Sequence, residues 1–160
     1  MKTKSKSVII RSTPEKVFAY MDTLGNTGMH MMESSTMLIG NKLRLIQLSE
    51  NAIGLNSKFK WAGEILGFKI DFTVEVLWWV KDKEKVWETV GNAKMVIMKW
   101  YQMHLVLSPE GQNTKVLLTI SYKLPDSIIP RFLAFFLAPW YVNWCLKNML
   151  EDSKKKLEKE

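Results

Sequence analysis

Cysteine is nearly absent: Cys145 is the only one in 160 residues. A single thiol excludes an intramolecular disulfide and a Cys-rich zinc site. It also fits a reducing compartment, so a cytoplasmic setting is expected. Histidine is almost as scarce. His30 and His104 stand without a paired carboxylate motif, which is too little for a metal site or a catalytic triad. Arginine is confined to Arg11, Arg44 and Arg131. No Arg-rich run, zinc knuckle or RNP-type aromatic signature accompanies the net charge of +7. The excess therefore reads as scattered surface lysines, and a nucleic-acid partner is not expected. Weak attraction to an anionic membrane is compatible with it. There is no glycine-rich phosphate loop: "GNTGMH" carries two glycines but follows no strand. The basic start "MKTKSKSVII" is not followed by an apolar region long enough for a secretory signal. No metal and no cofactor are expected.

What is present is a large apolar supply. Hydrophobic residues make up 47% of the chain, with seven Trp and ten Met. Rigid aromatics and pliable thioethers suit either an irregular core or a cavity lining. At this length one domain spanning 1–160 is expected, large enough to bury a core without covalent staples.

The patterning is mostly that of strands. "SVIIR" reads as a short strand, and "STPEKVFAYM" then starts a helix. Ser12 or Thr13 can cap it, Pro14 suits its first turn, and Glu15 favours the positive end of its dipole. "DTLGNTGMHMMES" suggests a break and a second short helix. Strands follow in "NKLRLIQL", "SKFKWAGE", "GFKIDFTVEVLWWV", "VWETVG", "AKMVIMKWYQMHLVL" and "TKVLLTISYKL". The third of these alternates most cleanly. Phe68, Ile70, Phe72, Val74, Val76 and Trp78 face one way, and Lys69, Asp71, Thr73 and Glu75 the other. Sustained period 2 marks a half-buried antiparallel strand. "KDKEK" and "SPEGQN" are turns. Consecutive strands joined by short turns predict an antiparallel sheet, apolar on one face and in need of a cover.

The only long element left is "IIPRFLAFFLAPWYVNWCLKNML", Ile128 to Leu150. A transmembrane span is not expected, because Arg131, Pro139, Asn143 and Lys147 interrupt it. Beyond Pro139 the segment is amphipathic and should lie on the sheet. Before Pro139, "RFLAFFLA" is apolar all round, so it must meet a cavity, another subunit or a membrane surface. Pro139 should kink the helix or separate two helices.

These segments resemble the START-like, Bet v 1-like superfamily, also labelled SRPBCC or polyketide cyclase/dehydrase. The opening helix matches its pattern through Thr13, Pro14, Val17, Phe18, Tyr20 and Asp22. A later hairpin matches through Leu107, Pro109, Gly111, Thr114 and Val116. "VLWWVKDKEKVWETVG" resembles its central hairpin and "LKNMLEDSKKKLE" its final helix. The match covers nearly the whole chain, through residues that determine fold rather than catalysis. The resemblance implies an α+β helix-grip fold. A curved seven-stranded antiparallel sheet wraps a long C-terminal helix, two short helices follow strand 1, and a pocket lies between sheet and helix. It also implies a hydrophobic small-molecule ligand such as a lipid, sterol, polyketide or quinone. Fold alone does not choose among activities.

Strand parity nominates the pocket lining: Phe59, Trp61, Phe72, Val74, Val76, Trp78, Trp87, Tyr101, Met103, Leu118, Ile120 and Tyr122. Phe136 and Trp140 join them from the final helix. The polar residues of inward parity are Gln47, Ser57, Lys99, Tyr101 and Tyr122. Of these, Lys99, Tyr101 and Tyr122 are weak catalytic candidates. A desolvated Lys99 could act as a base or form a Schiff base, although a bulge or snorkelling would turn it out of the interior. His104 should face outward, and His30 should lie near the mouth. Cys145 should be a buried small residue rather than a nucleophile. Three readings follow: a non-catalytic binder or carrier of a hydrophobic molecule, a cyclase- or hydrolase-like enzyme, and a module with a filled interior. The last would make peripheral membrane or homodimer contact through Phe132–Trp140.

Overall fold

A computed structural model describes residues 1–28, 43–65 and 67–159. Its elements are β1 (Lys2–Ile10), α1 (Pro14–Met21), α2 (Leu24–Thr27), β2 (Leu43–Gln47), β3 (Lys58–Ile65), β4 (Phe68–Val80), β5 (Glu84–Lys94), β6 (Trp100–Glu110), β7 (Asn113–Lys123) and α3 (Ile128–Glu158). The seven strands form one antiparallel sheet in the order β1-β7-β6-β5-β4-β3-β2. With α3 lying against the sheet, this is the antiparallel sheet expected from the alternation and the helix-grip fold that the resemblance implies.

Local chemistry explains the helices. Thr13 is the N-cap of α1, and its Oγ1 accepts from the Lys16 amide at 3.4 Å. Pro14 opens the helix and Glu15 sits in its first turn. Val17, Phe18 and Met21 are its buried side. At the end of α2, Gly28 abuts the Trp61 ring so closely that a Cβ would lie 2.5 Å from it. Only glycine lets α2 and β3 approach that far.

Three expectations need correction. The first strand is longer than "SVIIR", because pairing with β7 continues from Ile10 back to Lys2 opposite Tyr122. The stretch read as one strand from Ala93 is two elements. β5 runs on to Lys94 and β6 begins at Trp100, so Lys99 lies outside both. Pro139 does not divide the C-terminal segment, since α3 is one helix of 31 residues with Pro139 inside it. There Pro139 forfeits one backbone bond, which the long helix tolerates.

Two irregularities shape the sheet. Val76 pairs with Trp87 but Trp78 pairs with Val86, so Leu77 is an extra residue on β4. Between the Thr73–Val90 and Asp71–Lys94 pairs, β5 carries the excess instead, and Gly91 supplies the left-handed φ of +68° there. The β5–β6 ladder ends at Glu88–Gln102. Beyond it Thr89 takes over, its Oγ1 accepting from the Tyr101 amide at 3.1 Å. The two strands then part.

Candidate functional site

The inward residues of α3 form a stripe at four-residue spacing: Ala134, Ala138, Val142, Leu146 and Leu150, all buried. Their size grows along the helix. The second half fills the space beneath it with Val, Leu and Met149, close to α1. Among its described residues, the first half turns Ala134 and Ala138 inward. α3 packs chiefly on β1, β7, α1 and α2 rather than over the middle strands. Ala134 and Ala138 have no exposed surface, so α3 lies close against its neighbours at that level.

The tyrosines nearest that end have an unusual setting. Tyr101, at the start of β6, and Tyr141, on α3, are both partly accessible. Yet burial pushes both hydroxyls well above their ordinary pKa. Cys145 lies one turn beyond Tyr141 on α3 and is buried. Burial drives this thiol up to about 12. The Tyr101 ring meets Phe72 edge-on at 5.8 Å between centroids. Met95, Ile97 and Leu124 are also only partly buried against the core. Burial keeps both phenol hydroxyls protonated at neutral pH. A thiol kept protonated near 12 is no nucleophile at neutral pH.

Most of the predicted lining is inward but tightly covered. Phe59, Trp61, Phe72, Val74, Val76, Trp87, Met103, Leu118, Ile120 and Tyr122 are all buried in the core cluster. They form the packed inner face of the sheet. Tyr122 is almost wholly enclosed, with its pKa raised by burial. Three predicted lining residues point elsewhere. Trp78 is 54% exposed, because the extra residue Leu77 inverts the parity of the strand end and turns Trp79 inward instead. Phe136 and Trp140 are 64% and 59% exposed, because the buried side of α3 is the Ala134–Ala138 stripe.

The polar candidates are likewise resolved by local geometry. Lys99 is a surface residue whose Nζ lies 2.6 Å from Asp126 Oδ1. Gln47 is exposed and donates to the carbonyls of Ser49 and Glu50. Ser57 is buried and donates to the Gly54 carbonyl. His104 faces outward, 2.6 Å from Glu84 Oε1. Glu84 also accepts from Trp78 Nε1 at 3.0 Å, and its pKa is lowered by the His104 contact and then by Trp78. The position proposed for His30 lies outside the described residues. Among the described residues no cluster of His, Cys, Asp or Glu could hold a metal ion. None of the described helices is long and apolar enough to cross a membrane.

Parity reasoning missed one buried polar cluster. Lys85, placed in a turn by its sequence, points inward from β5 and is 3% exposed. Its Nζ donates to the Asp22 carbonyl at 2.7 Å and lies 3.0 Å from Asp22 Oδ1, without an aligned hydrogen bond to that oxygen. Trp79 Nε1 donates to Asp22 Oδ2 at 3.0 Å, and the Lys85 ammonium stands 5.1 Å from the Trp87 ring. Burial lowers the Lys85 pKa, and Asp22 opposes that shift. The cluster ties the end of α1 to the start of β5, four residues before Thr89, the partner of the Tyr101 amide. The signal was the inward register Lys85, Trp87, Thr89.

No protein-family model and no curated protein matches the chain. Solved structures do. TTHA0849 from Thermus thermophilus is 20% identical, with a TM-score of 0.66, covering 95% of this chain and 97% of its own. Ara h 8.0201 is 10% identical with a TM-score of 0.68, covering 99% of each chain. The Aha1 dimer from Colwellia psychrerythraea is 20% identical with a TM-score of 0.56, covering 99% of this chain and 97% of that one. At such identities the likeness establishes the fold and leaves function to the residues.

Proposed function

We propose that this chain binds a hydrophobic small molecule between the sheet and the first half of α3, as a binder or carrier rather than a catalyst. The observation that supports the reading is the helix-grip arrangement itself, α3 laid along a sheet with an apolar inner face, with Met95, Ile97, Tyr101, Leu124 and Tyr141 left only partly buried against the core. Apolar recesses with a few polar groups are the usual form of small-molecule sites. The ligand class implied by the START-like resemblance (lipid, sterol, quinone or polyketide-like) suits such a recess. Its polar end would accept from the tyrosine hydroxyls while its body meets Phe72, Met95 and Ile97.

A cyclase- or hydrolase-like role finds less support. Lys99 is outside, Lys85 is engaged by Asp22, and Cys145 is held protonated. Tyr101 and Tyr141 suit hydrogen-bond donation better than proton abstraction.

The test is native mass spectrometry on freshly purified protein, followed by extraction of any bound compound. A co-purifying hydrophobic molecule, lost on Ala138→Phe in a protein that still folds, is the expected result. A molecule retained unchanged by Ala138→Phe would place binding elsewhere, and a protein that takes up no lipid, sterol or quinone offered in excess would refute the reading.

A further inference from the structure

The first half of α3 leaves a large apolar surface uncovered. Ile128, Phe132, Phe136 and Trp140 recur every four residues and are 86%, 66%, 64% and 59% exposed. On a helix of 3.6 residues per turn, Phe136 lies roughly 200° round from Ala134, so this row is opposite the buried stripe. Phe135 and Leu137 widen it and are also exposed. Contiguous apolar surface on this scale marks a contact site.

Along the row itself the charge is of one sign, and the acid just before it, Asp126, is paired with Lys99. Between Ile128 and Leu150 the sequence has Arg131 and Lys147 but no Asp or Glu, and the first ten residues contain only Lys2, Lys4 and Lys6 as charged side chains. α3 packs along β1, the edge strand. Lys2, Lys4 and Lys6 share strand parity with Val8 and Ile10, the residues of β1 turned toward the core. Lys2 Nζ sits 4.2 Å from the centre of the Phe135 ring. A cationic row therefore runs beside the aromatic face and touches it.

We infer that this face docks on an anionic lipid bilayer, with α3 lying in the interface plane. Aromatic and aliphatic side chains would enter the headgroup boundary while the lysines meet acidic headgroups. A second copy of the chain is a poorer occupant. A two-fold contact through this face would bring both lysine rows together without acidic partners. The inference goes beyond ligand binding and stands without it.

The test is cosedimentation of the full chain with phosphatidylcholine vesicles, with and without about 30% phosphatidylserine. Binding should require phosphatidylserine. Phe132→Ser/Phe136→Ser should weaken it by about tenfold or more while leaving thermal unfolding unchanged, since both side chains are exposed; Phe136→Leu should retain it. Lys2→Gln/Lys4→Gln/Lys6→Gln should flatten the dependence on phosphatidylserine. The inference is overturned if the native chain does not sediment with these vesicles. It is equally overturned if the serine variant binds like the native chain, which would mean charge alone is responsible. A stable dimer in solution that the serine variant converts to monomer, with no vesicle binding, would assign the face to a second copy instead.

Discussion

Removing Lys85 should cost far more stability than the packing of one side chain. Asp22 and Lys85 are each almost wholly buried, at 4% and 3% side-chain exposure. Lys85→Met keeps the apolar volume but leaves the Asp22 carboxylate facing only Trp79 Nε1. An uncompensated buried charge costs about 3–5 kcal/mol. Domains of ordinary size have about 5–15 kcal/mol in all, so the variant should retain little margin. With a urea slope of about 2 kcal/mol/M, the midpoint should fall by roughly 1.5–2.5 M. Lys85→Met/Asp22→Leu removes both charges and should recover at least about half of that loss. It would not recover all, because Trp79 Nε1 and the Asp22 carbonyl lose partners, and each unsatisfied group costs about 1–3 kcal/mol. The assay is equilibrium urea unfolding of the four proteins in the cycle, followed by far-ultraviolet circular dichroism. If Lys85→Met shifts the midpoint by less than about 0.5 M, or the double variant is as unstable as the sum of the singles, the pair is not the buried clasp described here.

Three further outcomes are expected. Gly28→Ala should destabilise by about 1–3 kcal/mol, because the new methyl would lie 2.5 Å from the Trp61 ring; thermal denaturation would measure it. Cys145 should resist iodoacetamide at pH 8.5 in the native protein and react fully in urea, since the folded thiol titrates only at about 12; rapid native labelling would contradict its burial. The raised pKa values of Tyr101, Tyr141 and Cys145 give a signed pH effect. Their contribution is fully present below the unfolded pKa values, near 8.5 for a thiol and about 10 for a phenol, and is lost as pH rises toward the folded values. Stability should therefore decline above about pH 9, and Tyr141→Phe should make the decline shallower in urea titrations at successive pH values.

The sequence by itself determined the architecture. Alternation in β3, β4 and β7 assigned an inward face because period 2 is a local property of an extended chain. Thr13 and Pro14 marked the start of α1 because capping acts within a few residues. The change of character at Pro139 separated a half of α3 that needs one wet face from a half that has none. Only the tertiary structure decided the rest. One extra residue, Leu77, exchanged Trp78 for Trp79 on the inner face, and a bulge leaves no trace in hydrophobic pattern. The break before Trp100 put Lys99 on the surface, although its parity read inward. Lys85 is buried because Asp22 meets it across 63 positions of chain, a pairing that neither residue announces locally. On the all-apolar half of α3, the sequence offered no reason to bury Ala134 and Ala138 rather than Phe136 and Trp140. Packing against β1 and β7 made that choice: small residues let the helix approach the sheet, and the aromatic rings were left outside.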